Sequence, residues 1–220
     1  MIEQILPPAV VVAESFTDPD GLRLFPEEER LVANAVDKRR REFTTVRHCA
    51  RQALGELGIA PVPIVPGARG APVWPAEVVG SMTHCEGYRA AVLGRTTAFA
   101  TLGVDAEPHA PLPEGVLDAI ALPAERARTA ALAADHPTVC WDRLLFSAKE
   151  SVYKAWFPLT GRWLDFAEAD IVVNAAGAFV AHLLVPGPVL GGAPVTAFSG
   201  RFLVDRGLVL TAISIPAVAG

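Results

Sequence analysis

The stretch that decides the fold runs from Phe146 to Trp156 and reads Phe-Ser-Ala-Lys-Glu-Ser-Val-Tyr-Lys-Ala-Trp. At about 3.6 residues per turn, it predicts a helix with two different faces. One face, with the turn before it, is an apolar stripe that needs a core to pack against: Trp141, Leu145, Ala148, Val152, Ala155 and Trp156. The other face mixes charges with aromatic rings: Phe146, Lys149, Glu150, Tyr153, Lys154 and Phe157. This mixture favours the wall of a binding site, while a surface helix with a Glu150–Lys154 pair is the alternative.

Two carboxylates lie in a second stretch, Gly103 to Pro108, which reads Gly-Val-Asp-Ala-Glu-Pro and follows an apolar run. This pattern predicts the end of a β-strand, where Asp105 and Glu107 point to the same side about 7 Å apart. Two carboxylates so close repel each other unless a cation lies between them. With Glu150 as a third ligand, the set predicts an all-oxygen magnesium site of the kind that is shared with a substrate phosphate.

The densest run of positive charge extends from Lys38 to Arg51. Because guanidinium groups bind phosphates through paired hydrogen bonds, this run is a candidate phosphate clamp, and a solvated helix face is the alternative. Downstream, residues 59–77 are rich in proline and glycine, which predicts a long loop. Long loops inside compact domains are often functional.

Three local patterns predict details of the backbone. Residues 26–58 are expected to be helical because proline and acidic residues open the segment, with a break near Thr44-Thr45. Residues 78–93 are expected to form two strands that meet at Glu86-Gly87. Asp205-Arg206-Gly207 is expected to form a three-residue hairpin loop that ends in glycine.

Composition excludes several classes of protein. The chain has 220 residues, 51% of them hydrophobic and 20% charged, which indicates a globular protein with a real core. A formal net charge of -5 argues against nucleic-acid binding, and the sequence predicts no membrane span. The three cysteines lie far apart without metal-binding spacing, and the first residues have no basic segment. These features predict a cytoplasmic protein with free thiols.

The stretches at 103–108 and 146–156 resemble the two signatures of the 4'-phosphopantetheinyl transferases. The resemblance is to the type that activates surfactin and enterobactin synthetases, and within it to the actinobacterial members. It covers nearly the whole chain, since further similar segments occur in the same order: Lys38–Phe43 with Val46–Arg51, Gly80–Cys85 and Trp156–Thr160.

This resemblance implies an α+β fold made of two similar α/β halves, related by a pseudo-twofold axis, with the active site between them. The halves are expected at residues 1–104 and 105–220. It also implies a reaction, the transfer of 4'-phosphopantetheine from coenzyme A to a serine of an acyl or peptidyl carrier protein with release of 3',5'-adenosine diphosphate. The implied metal ion is Mg²⁺, with Mn²⁺ as an alternative, and a chain that carries both halves is expected to be a monomer.

Roles for individual residues follow from the same resemblance. Asp105, Glu107 and Glu150 would hold the metal, and Lys154 would stabilise or protonate the leaving phosphate. The general base is either Glu150 or a metal-bound water. The implied contacts to coenzyme A are Arg39, Arg47, Ser81, Thr83, His84, Asp105, Lys149 and Lys154. Tyr153 and Trp163 are candidates to border the pantetheine arm.

Several alternatives stay open from sequence alone. Arg40 could exchange roles with Arg39, and Pro66 stands where the family tends to carry a lysine, so that Arg69 is the residue that could compensate. A non-catalytic module that binds coenzyme A or a nucleotide is an alternative function. A phosphoryl transferase acting on another substrate is disfavoured, because the glycine-rich phosphate loop of such enzymes is absent from the sequence. The physiological carrier is not indicated, although Arg126 and Arg128 are candidates to dock it.

Overall fold

A computed structural model describes residues 1–218 of the chain. The α-helices of these residues are α1 (Pro26–Glu29), α2 (Asp37–Glu56), α3 (Val116–Ile120), α4 (Pro123–Asp135) and α5 (Trp141–Thr160). The β-strands are β1 (Val11–Ser15), β2 (Val78–Cys85), β3 (Tyr88–Arg95), β4 (Phe99–Pro108), β5 (Ala169–Asn174), β6 (Ala178–Leu183), β7 (Val189–Leu190), β8 (Ala193–Pro194), β9 (Ala197–Asp205) and β10 (Leu208–Pro216). Helices and antiparallel strands of this kind confirm the expected α+β class.

The first half packs α2 against a three-stranded antiparallel sheet in the order β1-β3-β2. Small residues of α2 such as Ala50 and Ala53 are fully buried with Leu54 against the sheet. The predicted helix break near Thr44-Thr45 is wrong. α2 runs without interruption from Asp37 to Glu56, and the break falls before Asp37 instead. Both hydroxyls are accommodated within the helix, because they donate to carbonyl oxygens one turn earlier, at 2.7 and 3.0 Å.

The second half packs α5 against a five-stranded antiparallel sheet in the order β4-β10-β9-β6-β5. All six residues of the predicted apolar stripe are buried, so this prediction is confirmed. The stripe packs against the sheet through large side chains such as Phe179 and Phe198. Gly161 ends the helix in the left-handed conformation that glycine adopts without strain.

The two sheets meet where β2 crosses β4. The Ser81 hydroxyl accepts the backbone N–H of Val104 at 3.1 Å, and the Thr83 hydroxyl accepts that of Ala106 at 3.0 Å. On the other side, β4 lies so close to α5 that a Cβ atom on Gly103 would stand 2.2 Å from the Ser151 carbonyl oxygen. Glycine at this position therefore lets both signature stretches approach each other. The expected boundary between residues 104 and 105 falls within β4.

The two predicted hairpins have different outcomes. β2 and β3 meet at Glu86-Gly87 as expected. The loop between β9 and β10 has only two residues, Arg206 and Gly207, and both have positive φ angles, of 49° and 74°. Two residues with positive φ match the twist of an antiparallel ribbon, which is why this hairpin closes one residue tighter than expected. Within residues 1–218, the longest helices are too polar or too short to cross a membrane.

Candidate functional site

A cleft of about 960 Å³ lies between the two halves. Its walls come from α2, the loop of residues 66–76, β2 and α5. The predicted site residues that line it are Arg39, Arg47, Ser81, His84, Glu150 and Lys154. The mixed face of α5 contributes further residues, since Tyr153 and Phe157 also face the cleft. The interpretation of this face as a site wall therefore agrees with the structure for these positions.

One edge of the cleft carries Arg39 next to His84. An Nη1 atom of Arg39 lies 2.5 Å from Nε2 of His84, a contact in which the arginine donates to the unprotonated ring nitrogen. Burial lowers the pKa of His84, and the Arg39 charge lowers it further. The neighbouring Arg40 instead pairs with Glu29 and does not line the cleft. Of the two adjacent arginines, Arg39 is thus the one placed to meet an anion.

Arg47 brings a second guanidinium into the cleft, about two turns further along α2. It is 7% exposed, lies 3.2 Å over the Phe43 ring and donates from Nε to the Ile64 carbonyl oxygen. Burial lowers its pKa to about 10; Glu28 opposes this effect, and Arg39 adds to it. Within residues 1–218, Arg47 has no carboxylate at ion-pair distance. A buried cation without a counter-ion is unfavourable, so this position favours an anionic ligand.

Arg69 and Trp163 meet across the mouth of the cleft. Arg69 belongs to the proline- and glycine-rich loop, and its guanidinium carbon lies 5.4 Å from the centre of the Trp163 ring. That ring is 54% exposed and also packs against Tyr153, with 5.0 Å between the ring centres. Arg69 has a positive φ of 52°, a strained conformation for a residue with a side chain. These contacts form an aromatic wall that a guanidinium covers.

Asp105 and Lys154 form the acidic and basic centre of the site. The Lys154 ammonium donates to Asp105 Oδ1 at 2.7 Å and to the Val104 carbonyl oxygen at 3.0 Å. The Thr83 hydroxyl lies 3.4 Å from the same Oδ1 atom. The second oxygen of Asp105, Oδ2, is buried and has no hydrogen-bond partner in the described part of the chain. A buried carboxylate oxygen without a protein partner is uncommon, and a cation or a water molecule would satisfy it.

Glu150 and Glu107 lie near enough to Asp105 for its negative charge to change their pKa values. Burial raises the pKa of Glu150, and the negative charge of Asp105 raises it further. The pKa of Glu107 is raised by the same two causes, although Arg143 opposes them by donating to its Oε2 at 2.8 Å. Residues 1–218 hold no group of three or more acidic, histidine or cysteine side chains arranged around one point.

The donor set fits a magnesium ion all the same. Mg²⁺ commonly binds one or two carboxylates and completes its shell with waters and substrate phosphates. Asp105 offers an unpaired buried oxygen, and Glu150 offers a carboxylate whose ionised form lacks a paired cation among the described residues. Repulsion between these two groups would be relieved by a cation bound between them.

Three predicted coenzyme contacts, Thr83, Asp105 and Lys149, do not line the cleft, and neither does the predicted metal ligand Glu107. The Thr83 hydroxyl is buried between β2 and β4, where it holds Asp105 and a backbone N–H. Lys149 is 3% exposed, and its ammonium contacts Glu125 at 2.9 Å and two carbonyl oxygens, those of Phe166 and Ala169. These contacts occupy all three N–H groups of the Lys149 ammonium. They connect α5 to α4, to the segment before β5 and to the first residue of β5.

Sequence reasoning missed the partners Arg143 and Glu125. Arg143 lies two turns before Glu150 on the same side of α5, a spacing that could have drawn attention to it. Glu125 follows Pro123 at the start of α4, and its carboxylate caps the helix by accepting the Leu122 N–H at 2.7 Å. The two arginines considered for docking are engaged in ion pairs, Arg126 with Asp118 and Arg128 with Asp170.

Comparison with known proteins addresses the family of the chain. A family profile described as 4'-phosphopantetheinyl transferase N-terminal domain matches residues 27–94, and one for the 4'-phosphopantetheinyl transferase superfamily matches residues 101–197. The chain is 58% identical over 224 residues to 4'-phosphopantetheinyl transferase Svp of Streptomyces mobaraensis, covering 100% of this chain and 91% of that protein. It is 53% identical over 225 residues to 4'-phosphopantetheinyl transferase PptT of Mycobacterium tuberculosis, covering 97% of each.

A third relative is also similar over nearly the whole chain. 4'-Phosphopantetheinyl transferase Npt of Nocardia iowensis is 52% identical over 223 residues, which cover 97% of this chain and 99% of that protein. These similarities extend over both halves, and therefore over both walls of the cleft. The chain thus belongs to the 4'-phosphopantetheinyl transferase family of enzymes.

Proposed function

We propose that this protein transfers 4'-phosphopantetheine from coenzyme A to a serine of an acyl or peptidyl carrier protein, releasing 3',5'-adenosine diphosphate. The observation that carries the proposal is a cleft lined by Arg39, Arg47, Glu150 and Lys154, with the buried Asp105 paired to Lys154 behind its wall. Such a cleft suits a polyanionic substrate whose reacting phosphate meets a metal ion. The reaction would take place between the halves 1–104 and 105–220.

The basic end of the cleft supports binding of the coenzyme's phosphates. Arg39, His84 and Arg47 face the same space, and Arg47 is already desolvated, so a phosphate oxygen there would gain a strong charge-assisted bond. Arg69 adds a guanidinium from the opposite loop, where it can take the role of the lysine that Pro66 replaces. The rings of Tyr153 and Trp163 would border the less polar pantetheine arm.

The acidic end supports a Mg²⁺ ion, or Mn²⁺ in its place, held by Asp105 and Glu150 with Glu107 as a third oxygen ligand. When bound, the ion would neutralise charge on the pyrophosphate as the bond to the leaving group breaks. Lys154 would stay close to this charge, since two of its N–H groups are fixed by Asp105 and Val104 and one is free. That remaining N–H can bind or protonate the leaving phosphate oxygen.

The serine hydroxyl of the carrier must lose a proton as its oxygen bonds to phosphorus. Glu150 is one acceptor for this proton, because its raised pKa makes it a stronger base than an ordinary carboxylate. The alternative base, a water held by the ion, would have to be deprotonated before it could accept this proton. Ser81 would contribute by keeping β2 in place, since its hydroxyl is engaged with the Val104 N–H.

A non-catalytic module that binds coenzyme A is not favoured, since the relatives over the full chain are named as transferases. The test is intact-mass spectrometry of several apo carrier proteins incubated with this protein, coenzyme A and magnesium, with EDTA as the control. We expect a mass gain of one phosphopantetheine that is lost on chelation, with release of 3',5'-adenosine diphosphate. Binding of coenzyme A without product on any carrier would contradict the proposal.

Two further properties belong to the same proposal. Since both walls of the cleft come from one chain, we infer that the monomer is the active form, which sedimentation at assay concentration can check. We also infer that the protein works in the cytoplasm, where coenzyme A and unmodified carriers would be available to it. Its Cys49, Cys85 and Cys140 are free thiols, as a reducing compartment would keep them.

A further inference from the structure

Arg47 is held in the cleft by one carbonyl oxygen and one aromatic ring. Its Nε atom donates to the Ile64 carbonyl oxygen at 3.1 Å, and its guanidinium carbon lies 3.2 Å over the Phe43 ring. The two terminal nitrogens, Nη1 and Nη2, donate to no other group among residues 1–218. Because Arg47 lines the cleft, these two nitrogens form a fork that is open to an anionic ligand.

The backbone of Ile64 is fixed from both sides. While its carbonyl oxygen accepts from Arg47, its N–H group donates to Oε1 of Glu28 at 2.8 Å. Ile64 is fully buried, so water cannot replace either partner. A change at Glu28 would therefore release the Ile64 backbone, which supplies the sole hydrogen-bond acceptor of the Arg47 guanidinium within the described chain.

A closed set of contacts connects Glu28 back to the helix that carries Arg47. Arg51 lies about one turn after Arg47 on α2, and its Nη1 contacts the two oxygens of Glu28 at 3.0 and 2.9 Å. The contacts run from Arg51 to Glu28, continue to Ile64 and return to α2 at Arg47. Because both ends of this set belong to one helix, the Ile64 carbonyl oxygen is kept at a defined position relative to the backbone of Arg47.

The ion pair inside this set adds no net charge near the cleft. The side chain of Glu28 is fully buried and that of Arg51 is 11% exposed, and their opposite charges cancel. An anion that approaches Arg47 is therefore attracted by the charge of Arg47 without an unbalanced carboxylate behind it. Glu28 also accepts the Phe25 N–H at 2.9 Å, so its carboxylate is satisfied without contact to a ligand.

The second half repeats this arrangement without a cation in the cleft. Glu125 is the third residue of α4, as Glu28 is of α1, and it accepts the Ile171 N–H at 2.7 Å. Its cation is Lys149 of α5, at 2.9 Å. The Ile171 carbonyl oxygen accepts from Arg128 at 3.1 Å, but Arg128 does not line the cleft. The two glutamates therefore have similar burial and similar partners, and they differ in whether the arginine they are connected to faces the cleft.

We propose that Glu28 is a positioning residue, which holds the Ile64 backbone and thereby turns the two terminal nitrogens of Arg47 toward an anionic group of coenzyme A. This inference rests on the proposed function, since it assumes that the cleft binds coenzyme A. Glu28 itself would not touch the coenzyme. Its loss would leave the guanidinium of Arg47 free to take other orientations, and binding would then have to restore the lost order at a cost in affinity.

The test measures the affinity for coenzyme A by titration calorimetry of the full chain, without carrier or metal. The variant is Glu28→Met and its matched control is Glu125→Met, since both replace a buried carboxylate by an apolar side chain. Both should lose stability, because buried donors lose their acceptor. At a temperature where urea unfolding shows both to be folded, we expect about tenfold weaker binding for Glu28→Met and unchanged binding for Glu125→Met.

A milder pair of variants serves if a methionine variant does not fold. Glu28→Asp and Glu125→Asp keep the negative charge but withdraw the carboxylate by about 1.5 Å, the length of one carbon–carbon bond. The Ile64 N–H then loses its acceptor while Arg51 keeps an opposite charge nearby. We expect weaker coenzyme A binding for Glu28→Asp and unchanged binding for Glu125→Asp, and equal affinities of the two would overturn the inference.

The decisive expectation is non-additivity with Arg47. In an Arg47→Ala background, Glu28→Met should change the affinity by less than about twofold, because no guanidinium is left to position. In the transfer assay, the KM for coenzyme A of Glu28→Met should rise with little change in kcat, since the pair of Asp105 and Lys154 is untouched. Equal losses in both backgrounds, or wild-type affinity in Glu28→Met, would overturn the inference. Failure of the wild type to bind coenzyme A would instead refute the proposed function.

Discussion

The Nζ atom of Lys154 lies 2.7 Å from Oδ1 of Asp105, so that an ion pair joins α5 to β4. The pair connects the two signature stretches, which are far apart in sequence. It also occupies one oxygen of Asp105 and leaves the other without a partner in the described structure. Asp105 can therefore hold the lysine in place and bind a cation at the same time.

Removing the Asp105 carboxylate should lower the stability of the fold. Repulsion between the carboxylates, taken alone, predicts instead that Asp105→Ala leaves the fold intact. The pair with Lys154 reverses this expectation, since the change leaves a partly buried ammonium without its partner. We expect a loss of roughly 1–3 kcal/mol in the free energy of unfolding, together with loss of transfer. Urea unfolding checks this, and an unchanged midpoint would argue against a structural role for the pair.

Glu150→Gln should have the opposite effect on stability. The pKa of Glu150 is raised in the folded protein, mainly by burial and then by Asp105, so its ionised form opposes folding. For such a group, stability is lost as the pH rises through the folded-state pKa. The variant should therefore be more stable than the wild type at neutral pH, and the difference should vanish below the ordinary pKa of a glutamate. Urea unfolding at several pH values tests this.

The same variant should fail to transfer phosphopantetheine with magnesium present, since it lacks a proposed ligand and candidate base. Near-normal transfer by Glu150→Gln would contradict both roles.

Lys149→Met distinguishes a structural lysine from a coenzyme contact. The ammonium of Lys149 and the carboxylate of Glu125 are both buried, and removal of one partner leaves the other charge unpaired. We expect destabilisation by about 3 kcal/mol. At a temperature where the variant is folded, its KM for coenzyme A should equal that of the wild type. A raised KM with normal stability would restore the role expected from the sequence.

Arg69→Gly should lower the affinity for coenzyme A and raise the stability of the fold. Glycine adopts the positive φ of position 69 without strain, which should stabilise the fold by about 1 kcal/mol. The variant also loses the guanidinium that covers Trp163 at the cleft mouth, so its affinity for coenzyme A should fall. Arg69→Ala is the matched control, because it loses the same side chain but keeps the strain. Equal stability of the two variants would show that the conformation carries no cost.

Regular local patterns account for what could be predicted from the sequence. The apolar stripe of α5 was predictable because its period of burial is that of the helix itself. Strand alternation likewise indicated that Asp105 and Glu107 lie on the same side of β4. The hairpin at Arg206 was harder, since the choice between two and three residues depends on two backbone angles.

Partners chosen by tertiary packing could not be read from the sequence. Lys149 and Glu150 are adjacent in the signature, but the helix turns them to opposite environments, one to Glu125 and the other to the cleft. The pairing of Glu107 with Arg143 depends in the same way on how β4 lies across α5. Periodicity predicts which face a side chain occupies, whereas the partner on that face is set by the neighbouring element.

The seam between β2 and β4 has a consequence for how the cleft can change its width. Ser81 and Thr83 are two residues apart, as are the Val104 and Ala106 N–H groups that their hydroxyls accept. A slide of one strand along the other would break both hydrogen bonds at once. The two bonds together therefore fix the register of β2 against β4. A slide of the halves is thus opposed by two hydrogen bonds, whereas a rotation about the seam can keep both. Since β4 carries Asp105, two hydroxyls hold the height of this carboxylate against β2 without needing to contact a ligand.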